Sequence, residues 1–148
     1  MSAEVQWKIS GTSEDQQVTE LVIIDDDPAF SMMLKDFLLS AGKMTAELYT
    51  SGEQFMKSYN SRDNRTIILD YHFGEESNMT GIEILKQIRA INMSANVIVV
   101  SSQDSLEIAV ENMRRGAADY FIKNTQTVFV NILSSLTKIQ KMLKNKMN

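Results

Sequence analysis

Cysteine is absent from this 148-residue chain, which rules out a disulfide framework and any thiolate metal centre and is compatible with a reducing compartment. There is one histidine, His72, so a bound metal would rely on oxygen donors or on that single imidazole. No apolar run approaches the roughly 18 residues of a membrane span, and the first residues lack the basic start and apolar stretch of a signal peptide. Glycine- or serine-rich linkers, low-complexity tracts and repeats of solenoid spacing are also missing, which argues against a second domain. Basic excess is lacking as well: the net charge of −4 weighs against direct nucleic-acid binding, which calls for a cationic face. What remains is an ordinary globular composition, 43% hydrophobic and 23% charged, at a length that suits one core. The expectation is a single cytoplasmic domain without membrane insertion.

Residues 1–18 are polar without sustained periodicity, although Val5, Trp7 and Ile9 alternate as in a short strand. They are read as an N-terminal extension with partial disorder expected, ahead of a domain spanning 19–148. Leu21 to Ile24 is a continuous apolar run rich in β-branched residues, the pattern of a strand buried on both faces. After three aspartates, Pro28 opens a helix in which Phe30, Met33, Leu34, Phe37, Leu38 and Ala41 recur at helical spacing, and Gly42 closes it. The alternation repeats four times. Strands are expected at Thr45 to Tyr49, Thr66 to Leu69, Asn96 to Val100 and Ala118 to Ile122. Helices are expected at about Gly52 to Tyr59, Gly81 to Ile91, Ser105 to Arg115 and Thr127 to Lys144. Five such units in series predict an α/β fold, a doubly wound parallel sheet with helices on both faces.

Ligands of open α/β sheets bind beyond the carboxyl ends of the strands, so the residues there carry the functional weight. Asp25, Asp26 and Asp27 follow the first strand, Asp70 the third, Ser101 and Ser102 the fourth, and Lys123 the fifth. Carboxylates gathered on one edge repel one another unless a cation or a retained proton intervenes. Oxygen-only donors favour a hard ion, and Mg²⁺ takes one or two carboxylates together with phosphate oxygens. Aspartate is also a competent nucleophile toward phosphorus. The lysines of the last helix, with Arg114 and Arg115, read as a solvated face. The ten methionines read mainly as core filler.

Together these residues resemble the receiver domains of bacterial two-component signalling. The likeness rests on Val22-Ile23-Ile24-Asp25-Asp26, Ile67-Ile68-Leu69-Asp70, Gly81 opening a helix, Val99-Val100-Ser101-Ser102, and Gly116-Ala117-Ala118-Asp119-Tyr120-Phe121-Ile122-Lys123. It covers about Val18 to Lys146. The resemblance implies a five-stranded, flavodoxin-like sheet of order 2-1-3-4-5 and a stand-alone phosphoacceptor regulator, not an enzyme in the ordinary sense, although phosphorylation and dephosphorylation could be self-catalysed. Asp70 would accept the phosphoryl group. Asp25, Asp26, Asp70 and the backbone carbonyl of His72 would hold Mg²⁺. Ser101 and Lys123 would bind the phosphoryl oxygens, and Ser101 and Tyr120 would carry the switch. The side chains of His72 and Gln103 would tune the phosphoryl lifetime. A histidine kinase or histidine phosphotransfer protein would be the donor, and the face formed by the fourth and fifth helices with the last strand would engage a downstream protein target or a second copy in a homodimer.

Three departures from that pattern stand out. The stretch from Asp70 to Gly81 is about three residues longer than usual, with Glu75 and Glu76 where Met-Pro is common. Ser101 replaces threonine. Asn124 follows Lys123 where proline normally supports a cis bond, so a trans bond or a strained cis one is expected. The longer loop and missing proline keep open a receiver-like module that binds its partner constitutively. A haloacid-dehalogenase-like phosphatase with Asp25 as nucleophile and Asp27 as acid is a third reading. It lacks the later acidic pair that family needs, since no Asp or Glu follows Lys123.

Overall fold

The computed structural model describes residues 19–71 and 79–147. The extension expected over 1–18, together with His72, Glu75 and Glu76, lies outside the described residues. The elements run β1 (Thr19–Ile24), α1 (Pro28–Gly42), β2 (Met44–Tyr49), α2 (Gly52–Met56), β3 (Thr66–Asp70), α3 (Gly81–Ile91), β4 (Val97–Ser101), α4 (Leu106–Arg114), β5 (Asp119–Ile122) and α5 (Val128–Met147). The strands pair in parallel in the order β2-β1-β3-β4-β5, the order expected.

Alternation along the buried strands explains their continuous apolar runs. Leu21 and Ile23 of β1 pack with Leu34 and Leu38 of α1 and Ile132 and Leu136 of α5. Their neighbours Val22 and Ile24 point the other way, into Phe55 of α2 and Ile84, Leu85 and Ile88 of α3. A strand covered on both faces has no room for polar residues, and burying each Leu or Ile contributes roughly 1.5 to 3 kcal/mol.

Local chemistry sets the helix ends. Asp27 caps α1 by accepting from the N–H groups of Ala29 and Phe30 at 3.1 and 3.3 Å, with Pro28 in the first turn. Thr80 caps α3 by accepting from the Glu83 N–H at 3.3 Å. Helix α1 closes at Gly42 as expected, and Lys43 just beyond it adopts the left-handed cap at φ 54. Gly42 also packs closely, since a Cβ there would lie 2.7 Å from Leu133 Cδ1, the end of a side chain that would have to shift.

Two expectations change. Helix α2 ends at Met56 and not at Tyr59. Tyr59, beyond the helix, is buried against Phe55 with ring centroids 4.9 Å apart. Most of the described methionines are not core: Met32, Met33, Met93, Met113 and Met142 are exposed, Met56 and Met79 are partly buried, and Met44 is buried. β-Branched residues and leucine already fill the two layers, leaving methionine to the outer helix faces and the loop before β4. No cis peptide occurs among the described residues, so the Lys123–Asn124 bond is trans. No described helix is long and apolar enough to cross a membrane.

Candidate functional site

The carboxyl ends of β1, β3, β4 and β5 bring four sequence-separated groups onto one edge. Asp25 follows β1, and its N–H is held by the Tyr49 carbonyl at 3.0 Å. Its carboxylate accepts from the Asp27 N–H at 2.9 Å through Oδ1 and from the Lys123 ammonium at 2.7 Å through Oδ2. Asp70 is the last residue of β3, and its Oδ1 lies 3.6 Å from Lys123 Nζ. Both carboxylate side chains are 3% exposed and that of Lys123 is 13% exposed. The backbone of Lys123 is fixed by its N–H donating to the Ser101 carbonyl at 2.8 Å. Its ammonium sits 4.6 Å from the centre of the Phe30 ring.

Burial pushes the Asp25 carboxyl above the usual aspartate range. The Lys123 contact and the Asp27 N–H pull it down, but only in part. Burial alone would lower the Lys123 ammonium, yet the hydrogen bond to Asp25 and the charges of Asp70 and Asp25 outweigh it and leave Lys123 firmly protonated. Asp26 is exposed, but one carboxylate oxygen from each of Asp25, Asp26 and Asp70 can be chosen so that all three lie within 4.8 Å of one another. Three convergent carboxylate donors and one ammonium suit a small hard cation.

The hydroxyl side of the site is built on the backbone of Gln103. Ser101, the fully buried last residue of β4, accepts the Gln103 N–H through Oγ at 3.0 Å. The Tyr120 hydroxyl, from β5, donates to the Gln103 carbonyl at 3.0 Å. Burial raises the Tyr120 phenol, against the lowering influence of the Ser101 hydroxyl. Gln103 itself is exposed. The start of α3 approaches so closely that a Cβ on Gly81 would lie 2.6 Å from Tyr71 Cα and 2.7 Å from the Asp70 carbonyl oxygen. Glycine there is a steric requirement for holding α3 against the end of β3.

Asp25, Asp26, Asp70, Ser101 and Lys123 therefore lie at the carboxyl ends of the strands, as their positions suggested, and Tyr120, from within β5, adjoins them through the Gln103 carbonyl. Asp27 acts as a helix cap and supports the Asp25 carboxylate. In the sequence Phe30 stands out only as part of an apolar stripe. Its position in the first turn of α1, directly after the acidic run, is the signal that places an aromatic face beside Lys123.

The chain has relatives among known proteins. A family model described as the response regulator receiver domain matches residues 21–133. The chain is 31% identical over 121 residues to the chemotaxis protein CheY of Thermotoga maritima, a match covering 81% of this chain and 97% of that one. It is 32% identical over 119 residues to the transcriptional regulatory protein ZraR of Escherichia coli O157:H7, covering 80% of this chain and 26% of ZraR; the chain spans about a quarter of that relative. In fold it is similar to the crystal structure of a CheY-like receiver domain protein from Methanospirillum hungatei JF-1. The TM-score is 0.74 at 19% identity, over 88% of this chain and 99% of that one.

Proposed function

This chain belongs to the response regulator receiver domain family, and from that membership we propose that it is a phosphoacceptor switch in which Asp70 takes a phosphoryl group with the help of Mg²⁺. The observation that carries the reading is the Lys123 ammonium held between the buried carboxylates of Asp25 and Asp70, with Asp26 completing a cluster of three convergent oxygen donors. Asp25, Asp26 and Asp70 would hold the ion, with the His72 carbonyl as a further donor. When bound, Mg²⁺ supplies charge that offsets the phosphoryl oxygens.

The Asp70 carboxylate oxygen attacks phosphorus in line. The bond from phosphorus to the donor's imidazole nitrogen breaks, and that nitrogen keeps the electron pair, leaving an acyl phosphate. Lys123 stays protonated and pairs with a phosphoryl oxygen. Ser101 Oγ, which now accepts from Gln103, gives its proton toward another. Drawing Ser101 inward loosens the Gln103 backbone that also anchors Tyr120, so the two move together and shift the population of a minor conformer. The exposed Gln103 side chain and His72 would tune how long the phosphoryl group lasts.

The donor is a histidine kinase or histidine phosphotransfer protein, and the output is contact with a protein target or a second copy through α4, β5 and α5. Receiver domains are signalling proteins and not classical enzymes; self-catalysed transfer from small phosphodonors belongs to this proposal. So do a cytoplasmic location and a receiver unit spanning residues 19–148.

Intact-mass measurement after incubation with acetyl phosphate, with and without Mg²⁺, tests the reading. One phosphoryl group gained only with Mg²⁺, and lost in Asp70→Asn, is expected. No adduct, together with no Mg²⁺ binding, would leave a constitutive interaction module.

A further inference from the structure

The Lys123 ammonium has to change partners if Asp70 is to carry a phosphoryl group. Its Nζ lies 2.7 Å from Asp25 Oδ2 and 3.6 Å from Asp70 Oδ1, so it is hydrogen-bonded to the first carboxylate and only near the second. The lysine stem is flexible and its ammonium strongly hydrated, so nothing in the side chain itself keeps the charge at this junction. A third group does: the centre of the Phe30 ring is 4.6 Å from Nζ, inside the roughly 6 Å reach of a cation–π contact.

Phe30 is itself fixed. Its N–H donates to Asp27 Oδ1 at 3.3 Å in the first turn of α1. Its ring stands edge to face with Phe129 of α5, with centroids 5.6 Å apart and planes at 65°. Phe129 lies 5.6 Å in turn from Phe37, about two turns further along α1. Two aromatics of α1 thus grip one of α5, and the ring beside Lys123 cannot swing away without breaking that grip. The chemistry of the neighbour matters as well. A further carboxylate would neutralise the ammonium, and water would take hydrogen bonds that an incoming phosphoryl oxygen needs. An aromatic face attracts the cation, carries no net charge and excludes water.

We propose that Phe30 is the positioning residue of Lys123: its ring, braced by Phe129, holds the ammonium at the junction of Asp25 and Asp70, from which it passes to a phosphoryl oxygen. The part that concerns transfer rests on Asp70 being the phosphoacceptor.

Trifluorophenylalanine placed at Phe30 tests this, because fluorine withdraws electron density from the ring face and nearly keeps its shape. Protons above a ring face are shielded. In NMR of the full chain without a phosphodonor, the Lys123 ε-methylene signals should lie upfield in the wild type and move toward those of an ordinary lysine with the fluorinated ring. Phosphorylation by acetyl phosphate and Mg²⁺ should slow about fivefold, between the exposed and desolvated limits of a cation–π contact. Phe30→Leu should slow it as much, and Phe30→Tyr, which keeps an electron-rich face, should stay within about twofold of wild type. Unshifted Lys123 signals in the wild type, or signals that fluorination leaves unchanged, would overturn the proposal and make Phe30 a packing residue only. Altered signals with an unaltered rate would overturn its role in transfer. A wild type that takes no phosphoryl group would refute the phosphoacceptor reading, and the NMR comparison would still decide whether Phe30 holds Lys123.

Discussion

Replacing Lys123 by alanine removes the only ammonium within reach of two buried carboxylates among the described residues. It lies 2.7 Å from Asp25 and 3.6 Å from Asp70, and all three side chains are largely shielded from water. Breaking a buried pair by deleting one partner costs about 3 to 5 kcal/mol, because the remaining charge is left uncompensated. The lower end applies here, since Asp25 keeps its bond from the Asp27 N–H. A loss of about 3 kcal/mol in a domain of this size lowers the melting temperature by roughly 6 to 12 °C. If the cost is electrostatic, a divalent cation can replace the missing charge. In thermal melts at neutral pH, about 10 mM Mg²⁺ should then raise the variant's midpoint by more than it raises the wild type's, by the linkage between binding and folding. A variant melting within about 1 °C of wild type, or gaining no more from Mg²⁺ than wild type does, would refute the view that Lys123 serves as the counter-charge of this cluster.

Gly81→Ala forces a Cβ into the backbone of Asp70 and Tyr71, so a loss of at least 1 to 3 kcal/mol, approximately, is expected in urea unfolding, with phosphorylation of Asp70 also slowed. Ser101→Ala should leave Mg²⁺ affinity near wild type while reducing the coupling of phosphorylation to Tyr120, read as a smaller phosphorylation-dependent NMR shift at Tyr120. Asn112 is fully buried and its amide donates to the Ile108 carbonyl at 2.8 Å, so Asn112→Leu, which loses that bond and adds volume, should lower the unfolding free energy by about 1 kcal/mol in urea titrations. The Arg65 hydrogen bond holds Asp63 below its ordinary value of 3.8, so its stabilisation is present above that value and is lost as pH falls through the lower folded-state value. Asp63→Asn should therefore cost about 1 kcal/mol near neutrality and nothing once both states are protonated, as urea titrations across acidic pH would show.

Much of this molecule was legible before any coordinates. β1, β3 and β4 are covered on both faces, which leaves the continuous apolar runs that mark them as central strands, and five strand-helix units admit few other topologies. Because ligands of such sheets sit past the strand ends, Asp25, Asp70, Ser101 and Lys123 could be picked out by position. Less legible was anything decided by contacts between segments. Gly42 does close α1, but that Lys43 would take the left-handed cap and that Gly42 would lie against the Leu133 side chain could not be read locally. The methionines looked like core filler and are largely outside, because hydrophobicity alone does not say which layer is already full.

The sequence by itself determined the order of elements, the faces they bury and the edge to which the acidic and basic groups belong, since these follow from local periodicity and from short-range capping. Only the tertiary structure decided that Lys123 sits nearer Asp25 than Asp70, that Phe30 lies against its ammonium, and that Ser101 and Tyr120 share the Gln103 backbone. Those choices are made across space between residues far apart in the chain, where differences of an ångström in a low-dielectric setting outweigh any local preference.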